Sequence, residues 1–230
     1  MPNHRNSQMP LRHTSQYLCA LAVVVLSSGY AHGADSASRR VINACTIGPA
    51  TMCVGFNLQG ARLAGADLPR SDLSRADLSR ADLRGVNLFN ANLDEVNLQH
   101  ANLRGAILND ADLKRADMQN ANLAHAHLVG ANLTSANLHS ANLEETQLRG
   151  ADLSGAHLMG AKLSGAQLQR ANLEGAVLTG ADLRNANLNG ANLQNAQLDG
   201  ADLTGATLGA ADFSGARVEG CRGCPAGSSS

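Results

Sequence analysis

Cysteine and histidine are the side chains in this chain with reactive chemistry of their own. Four cysteines form two close pairs, Cys45 with Cys53 and Cys221 with Cys224, and a fifth, Cys19, lies inside an apolar run. Paired cysteines can form disulfides, exchange thiols or hold a metal, depending on compartment and surroundings. Cys221-x-x-Cys224 has the spacing of a redox or metal motif, but no obvious helix follows it and no thioredoxin-like strand pattern accompanies it. His125, His127, His139 and His157 gather mid-chain, where imidazoles could ligate a metal. Neither a G-x-S-x-G elbow nor a phosphate loop is present. Asp and Asn are abundant, but they recur at a fixed interval that any structural account must explain first.

Positioning of these residues falls to the stretch from Phe56 to about Gly220. An apolar centre recurs every five residues from Leu58 to Val218, giving 33 copies without insertion. The centre is Leu except at Met118, Phe213 and Val218; Ala stands two residues earlier except at Phe56, Ser71, Val86, Val96 and Thr146. Asp or Asn usually lies between them. A helix advances about 100° per residue, so five residues displace successive leucines by about 140° and gather no stripe. A strand alternates faces, and an odd period sends successive leucines to opposite sides. A chain that turns a corner every five residues does gather them. Four such sides close a coil of about 20 residues, and coils stack at about 4.8 Å. Gly fills the last position in 16 of the 33 copies, as suits a corner needing positive φ.

At this point the chain resembles the pentapeptide-repeat family, with its A-[DN]-L-x-x consensus, over Phe56 to Gly220. The resemblance implies an all-β fold: a right-handed quadrilateral β-helix of about eight coils with short capped ends, roughly 40 Å long at about 4.8 Å per coil. In that fold the two cysteine pairs lie at opposite ends, far beyond the ~4.4–6.8 Å Cα spacing a bridge needs. A single four-cysteine zinc site is thereby excluded, and local bridges Cys45–Cys53 and Cys221–Cys224 are expected to staple the caps. His139 and His157 fall on adjacent coils offset by two residues, roughly 8 Å. That spacing is read as too wide for shared ligation at about 2.0–2.1 Å without backbone movement. No metal or cofactor is expected.

Residues 1–33 read as a secretory signal: Arg5, Arg12 and His13, then the apolar run Leu18–Leu26, then small residues at Ala31 and Gly33. Residues 34–55 read as a leader and N-terminal cap, 56–220 as the β-helix, and 221–230 as a C-terminal cap and tail. No apolar stretch is long enough to span a membrane. Loss of 1–33 leaves 16 Lys and Arg against 19 Asp and Glu, no electrostatic footprint for nucleic acid.

Residues 20 apart stack, so each side reads as columns. Asp and Asn alternate along Asp72, Asn92, Asp112, Asn132 and Asp152, which spaces carboxylates two coils apart and lets Asn bond along the column. A second side alternates from Asn57 to Asn137 and then breaks at His157 and Val177. The third side departs most, reading Asp67, Asn87, Ile107, His127, Gln147, Gln167, Asn187, Thr207. Phe89, Ile107 and Val129, with His127, form a candidate interaction patch there. Arg70, Arg75 and Arg80 occupy successive corners as a candidate basic rim, with Asp67, Asp72, Asp77 and Asp82 interleaved to offset their charge.

The expected function is a non-enzymatic, exported scaffold or protein-interaction module, periplasmic or extracellular, whose protein partner is not identified. Its solenoid ends offer a route to a homodimer. Resemblance to quinolone-resistance pentapeptide proteins implies an alternative, a DNA mimic that binds a type II topoisomerase. Mimicry needs a strongly acidic surface, and the net charge here is −1. A further alternative is a thiol redox protein using Cys221 and Cys224.

Overall fold

The computed structural model describes residues 41–225. The expected signal segment, most of the leader and the last five residues lie outside them. The described chain opens with a hairpin. Strand β1 (Val41–Ile42) pairs antiparallel with β2 (Cys45–Thr46). Asn43 and Ala44 form the two-residue turn at φ 47° and 65°, the paired positive values of a type I′ turn. The hairpin sits over the first coil, where Asn43 Nδ2 donates to the Asn57 carbonyl at 2.7 Å. Cys45 is buried and bridged to Cys53 with Cα atoms 5.6 Å apart.

Cys53 shows where the solenoid begins. It occupies the place of the central leucine, Thr51 that of the alanine, and Met52 pairs in parallel with Asp72. The repeat therefore starts one copy before Phe56, inside the segment assigned to the cap. Thr51 is not a passive alanine substitute. Its hydroxyl donates to the Thr46 carbonyl at 2.9 Å and accepts from the Gly48 amide at 2.9 Å, tying hairpin to coil. Replacing Cys45 and Cys53 together with Ser is expected to cost about 2–3 kcal/mol. Urea unfolding of the double variant, against the parent with disulfides intact, measures this; an unchanged midpoint would show that Thr51 and Asn43 hold the cap alone.

From Met52↔Asp72 to Asp202↔Arg222, single-residue parallel bridges recur every five residues and always join positions 20 apart. Four ladders result, separated by turns, and no side is long enough to form a longer strand. The backbone donors of one repeat explain why. The leucine amide reaches the next coil (Leu58 N to Asp77 O, 2.7 Å), and the amide before it reaches the previous coil (Asp77 N to Phe56 O, 2.9 Å). The alanine amide closes the turn (Ala76 N to Leu73 O, 3.1 Å), and the corner amide reaches the next coil (Arg75 N to Asp94 O, 2.9 Å). One donor is left, on the residue after the leucine. The Asp or Asn two residues earlier accepts it, as in Ser74 N to Asp72 Oδ1 at 3.0 Å and Gln59 N to Asn57 Oδ1 at 3.0 Å. Only a short side-chain oxygen closes such a turn onto its own backbone. The Asx requirement is thus local before it is columnar.

The column role exists as well. Asn92 Nδ2 donates to Asp72 Oδ1, Asn97 to Asp77, Asn132 to Asp112 and Asn172 to Asp152, each at 3.1 Å. Inside, leucines and alanines from Leu68 to Leu203 are almost wholly shielded. Corners take positive φ throughout, at Gly and at non-glycine residues such as Arg70, Glu95 and Ala210. At the far end the register runs on to Gly223, which stands in a leucine's place. A Cβ there would lie 2.8 Å from the Leu203 carbonyl carbon and oxygen, and its φ is +75°. Only glycine lets the last coil settle there. Cys221 and Cys224 bridge beside it, Cα atoms 5.9 Å apart.

Candidate functional site

Function is sought where the Asp or Asn of the repeat is lost. The ladder through Asn87, Ile107, His127, Gln147, Gln167 and Asn187 loses it on four successive coils, from Ile107 to Gln167, and the ladder through Asn137 loses it from His157 to Arg217. Ile107 is 38% exposed, and Phe89, one column across and one coil below, is 39% exposed. Val129 and His127 are half-buried on the coil above Ile107. The register therefore brings the four residues of the candidate patch onto one side.

Losing the Asx residue orphans the donor after the leucine, and the coil below sometimes replaces the acceptor. Beside His127, the Val129 amide donates to Asn109 Oδ1 at 2.9 Å. Beside Thr207, the Gly209 amide donates to Asn189 Oδ1 at 2.7 Å, and beside Arg217 the Glu219 amide donates to Asp199 Oδ1 at 3.2 Å. At Gln147 and Gln167 there is no replacement. The Arg149 and Gln169 amides have no protein acceptor among the described residues. They stack on adjacent coils beside a hollow of about 550 Å³, lined by Val129, Glu145, Gln147, Arg149, Gln167 and Gln169 among others. Gln169 donates to Gln167 Oε1 at 3.0 Å, while its own Oε1 is shielded and without a partner. The apolar patch thus runs into a polar hollow with unused donors, a cation and an unused acceptor. Sequence reasoning missed the hollow; its signal was Gln at two successive Asx positions of one column.

The basic rim is organised differently from expectation. Arg70, Arg75 and Arg80 are corner residues at φ 55°, 58° and 59°. The interleaved aspartates do not pair with them. Asp72 accepts from the Ser74 amide and hydroxyl and from Asn92; Asp77 accepts from the Ser79 amide and Asn97. Asp82 is taken by Arg84 at 2.7 Å. Arg75 instead pairs upward with Glu95 at 2.9 Å, and Arg115 one coil higher holds Glu95 at 3.0 Å and Asp94 at 2.8 Å. Turn formation claims the aspartates first, so the arginines find partners along the stack. The hydrogen bond from Arg75 holds the Glu95 carboxyl below its usual range, as the Arg84 hydrogen bond does for Asp82. These pairs are exposed and screened by salt.

Both expected disulfides are present, so Cys221 and Cys224 are a closed bridge. Among the described residues no three His, Cys, Asp or Glu side chains stand together as a metal group, and no helix is long and apolar enough to cross a membrane. His125 faces Glu145 at 3.2 Å on the next coil. His139 and His157 share a second hollow with Met159.

Comparison with curated protein sequences finds no significant match. Among solved structures, the chain is similar to HetL, a pentapeptide repeat protein involved in heterocyst differentiation regulation in Nostoc sp. strain PCC 7120: 35% identity, covering 76% of this chain and 85% of that one, TM-score 0.47. It is similar to full-length QnrB1, a plasmid-mediated fluoroquinolone resistance protein, at 23% identity over 76% and 91% of the two chains, TM-score 0.41. Rfr23, a pentapeptide repeat protein from the cyanobacterium Cyanothece 51142, shares 26% identity over 74% and 86%, TM-score 0.22. The family profile for pentapeptide repeats matches in successive segments that together run from residue 57 to residue 222. With that match spanning nearly the whole repeat array, the chain belongs to the pentapeptide-repeat family.

Proposed function

We propose that this protein is a non-enzymatic scaffold whose third side docks a protein partner outside the cytoplasm. Pentapeptide-repeat proteins are generally structural or interaction proteins. The reading takes residues 1–33 as a cleaved signal and the array as a right-handed stack of about eight coils, rigid because each coil bonds to both neighbours. One observation carries it: one ladder loses its Asp or Asn on four successive coils, from Ile107 to Gln167, and there exposed Phe89 and Ile107 lead through Val129 to the Arg149 and Gln169 hollow. An apolar anchor beside unused backbone donors suits a protein surface that supplies a side chain and carbonyls.

The DNA-mimic alternative has less support, because the 16 Lys and Arg against 19 Asp and Glu that follow residue 33 make no strongly acidic surface. A second copy of the chain, meeting it end to end, is a further proposed partner.

A photo-crosslinking residue at position 107 tests the docking face, with one at position 182 on another side as control. Crosslinking in native envelope material is expected from 107 only and is lost in Phe89→Asp. Equal capture from both positions would remove the assignment of this side. N-terminal sequencing of the exported protein is expected to begin at Ala34; recovery of an intact Met1 chain in the cytoplasm would overturn export.

A further inference from the structure

The second side carries a different chemistry. Its ladder keeps Asp and Asn from Asn57 through Asp77, Asn97 and Asp117 to Asn137, then changes to His157 and Val177. One residue past each leucine, the adjacent column runs Gln119, His139, Met159. Coils stack at about 4.8 Å, so Met159 lies directly above His139. His157 stands two residues back along the coil of Met159, and the Ser140 amide bonds to the Met159 carbonyl at 3.0 Å, fixing the register.

His139, His157 and Met159 line one open hollow of about 260 Å³ with Gln119, Asn137 and Val177. The backbone offset of His139 and His157 is the roughly 8 Å that the sequence implies. Side chains that face one hollow can nevertheless meet at a shared atom, because imidazole and thioether both project well beyond their Cα. Two further features mark the hollow as a ligand site. His139 Nδ1 is shielded from solvent and has no hydrogen-bond partner. Met159 leaves 46% of its surface exposed beside the half-buried Val177.

The donor set decides what the ligand is. It holds two imidazoles and one thioether, and no carboxylate or thiolate lines the hollow. Magnesium and calcium need oxygen anions, and structural zinc favours a closed set of four ligands. Imidazole with thioether suits a soft monovalent ion. We propose that His139, His157 and Met159 together bind one Cu(I) ion, with Ag(I) as its redox-inert counterpart. The site is independent of the docking side: either assignment can fail while the other stands.

The full chain with disulfides intact is titrated calorimetrically with Ag(I), then anaerobically with Cu(I) supplied as its acetonitrile complex against a chromophoric competitor. One ion per chain is expected. His157→Asn and Met159→Leu are each expected to weaken binding by ~10-fold or more, at least what loss of a supporting group costs a metal site. His157→Asn restores the ladder's own Asx residue, so its metal-free melting point is expected to match or exceed the parent's. Met52→Leu and His100→Asn are expected to bind as the parent does. Absence of saturable uptake, equal loss in Met52→Leu, or displacement by equimolar Zn(II) would each overturn the assignment.

Discussion

Leu133→Asp is expected to abolish cooperative unfolding of the middle of the stack. Leu133 is fully shielded, and Leu113 and Leu153, 20 residues to either side, are shielded too. A carboxylate there has no partner and no water, a condition far costlier than lost apolar burial. Leu133→Ala isolates the milder effect. It removes packing and leaves a cavity, and about 3–5 kcal/mol is expected. Leu208→Ala supplies the contrast, because Leu208 is only partly buried against the core. Urea unfolding followed by circular dichroism separates the three. The end variant is expected to lose less than half of what Leu133→Ala loses. Equal losses would show that stacking on both neighbours does not set the energetics.

The second large effect concerns length. Deleting 131–150 removes one coil, and deleting 131–135 removes one side. Both leave every remaining leucine inside. Both are expected to fold, with stability reduced in proportion to the repeats lost. Deleting Thr134 alone shifts each later residue by one position, so leucines exchange places with their outward neighbours, as in a strand slipped by one residue. That variant is expected to lose native circular dichroism beyond the deletion. The side deletion also changes column partners, bringing Asn137 above Asp112 where Asn132 stood. If it folds as well as its lost repeat predicts, column identity contributes little beyond the Asx turn. A folded Thr134 deletion would refute the accounting of backbone donors.

Much of this was legible in the residues because one constraint repeats. Five-residue spacing excludes helix and strand and leaves a cornered coil, so leucine and alanine could be placed inside before any coordinates. The Asn-over-Asp columns followed from charge spacing alone, and Asn92 on Asp72 confirms them. What escaped notice depends on contacts between residues rather than on their types. Thr51-Met52-Cys53 and Cys221-Arg222-Gly223 belong to the ladder, but without Ala and Leu they carry no consensus. The Asx turn was hidden behind the column, since one oxygen serves both. The pairing of Arg75 with Glu95 could not be read from alternating charges, because backbone amides compete for the aspartates. The second hollow needed side-chain directions, which backbone spacing does not supply.

The backbone hydrogen bonds joining coils connect residues 19 or 21 apart and so run along the stack. Under tension applied to the two ends, these bonds are loaded one coil at a time rather than sheared together. Extension should then proceed as a sawtooth of even teeth. Each released coil lengthens the chain by 20 residues, about 70 Å of contour at ~3.3–3.6 Å per residue. Cys45–Cys53 withholds a short segment from the first tooth. A protein built this way would yield gradually and could recover coil by coil, behaving as a force-limiting spring between whatever its ends hold.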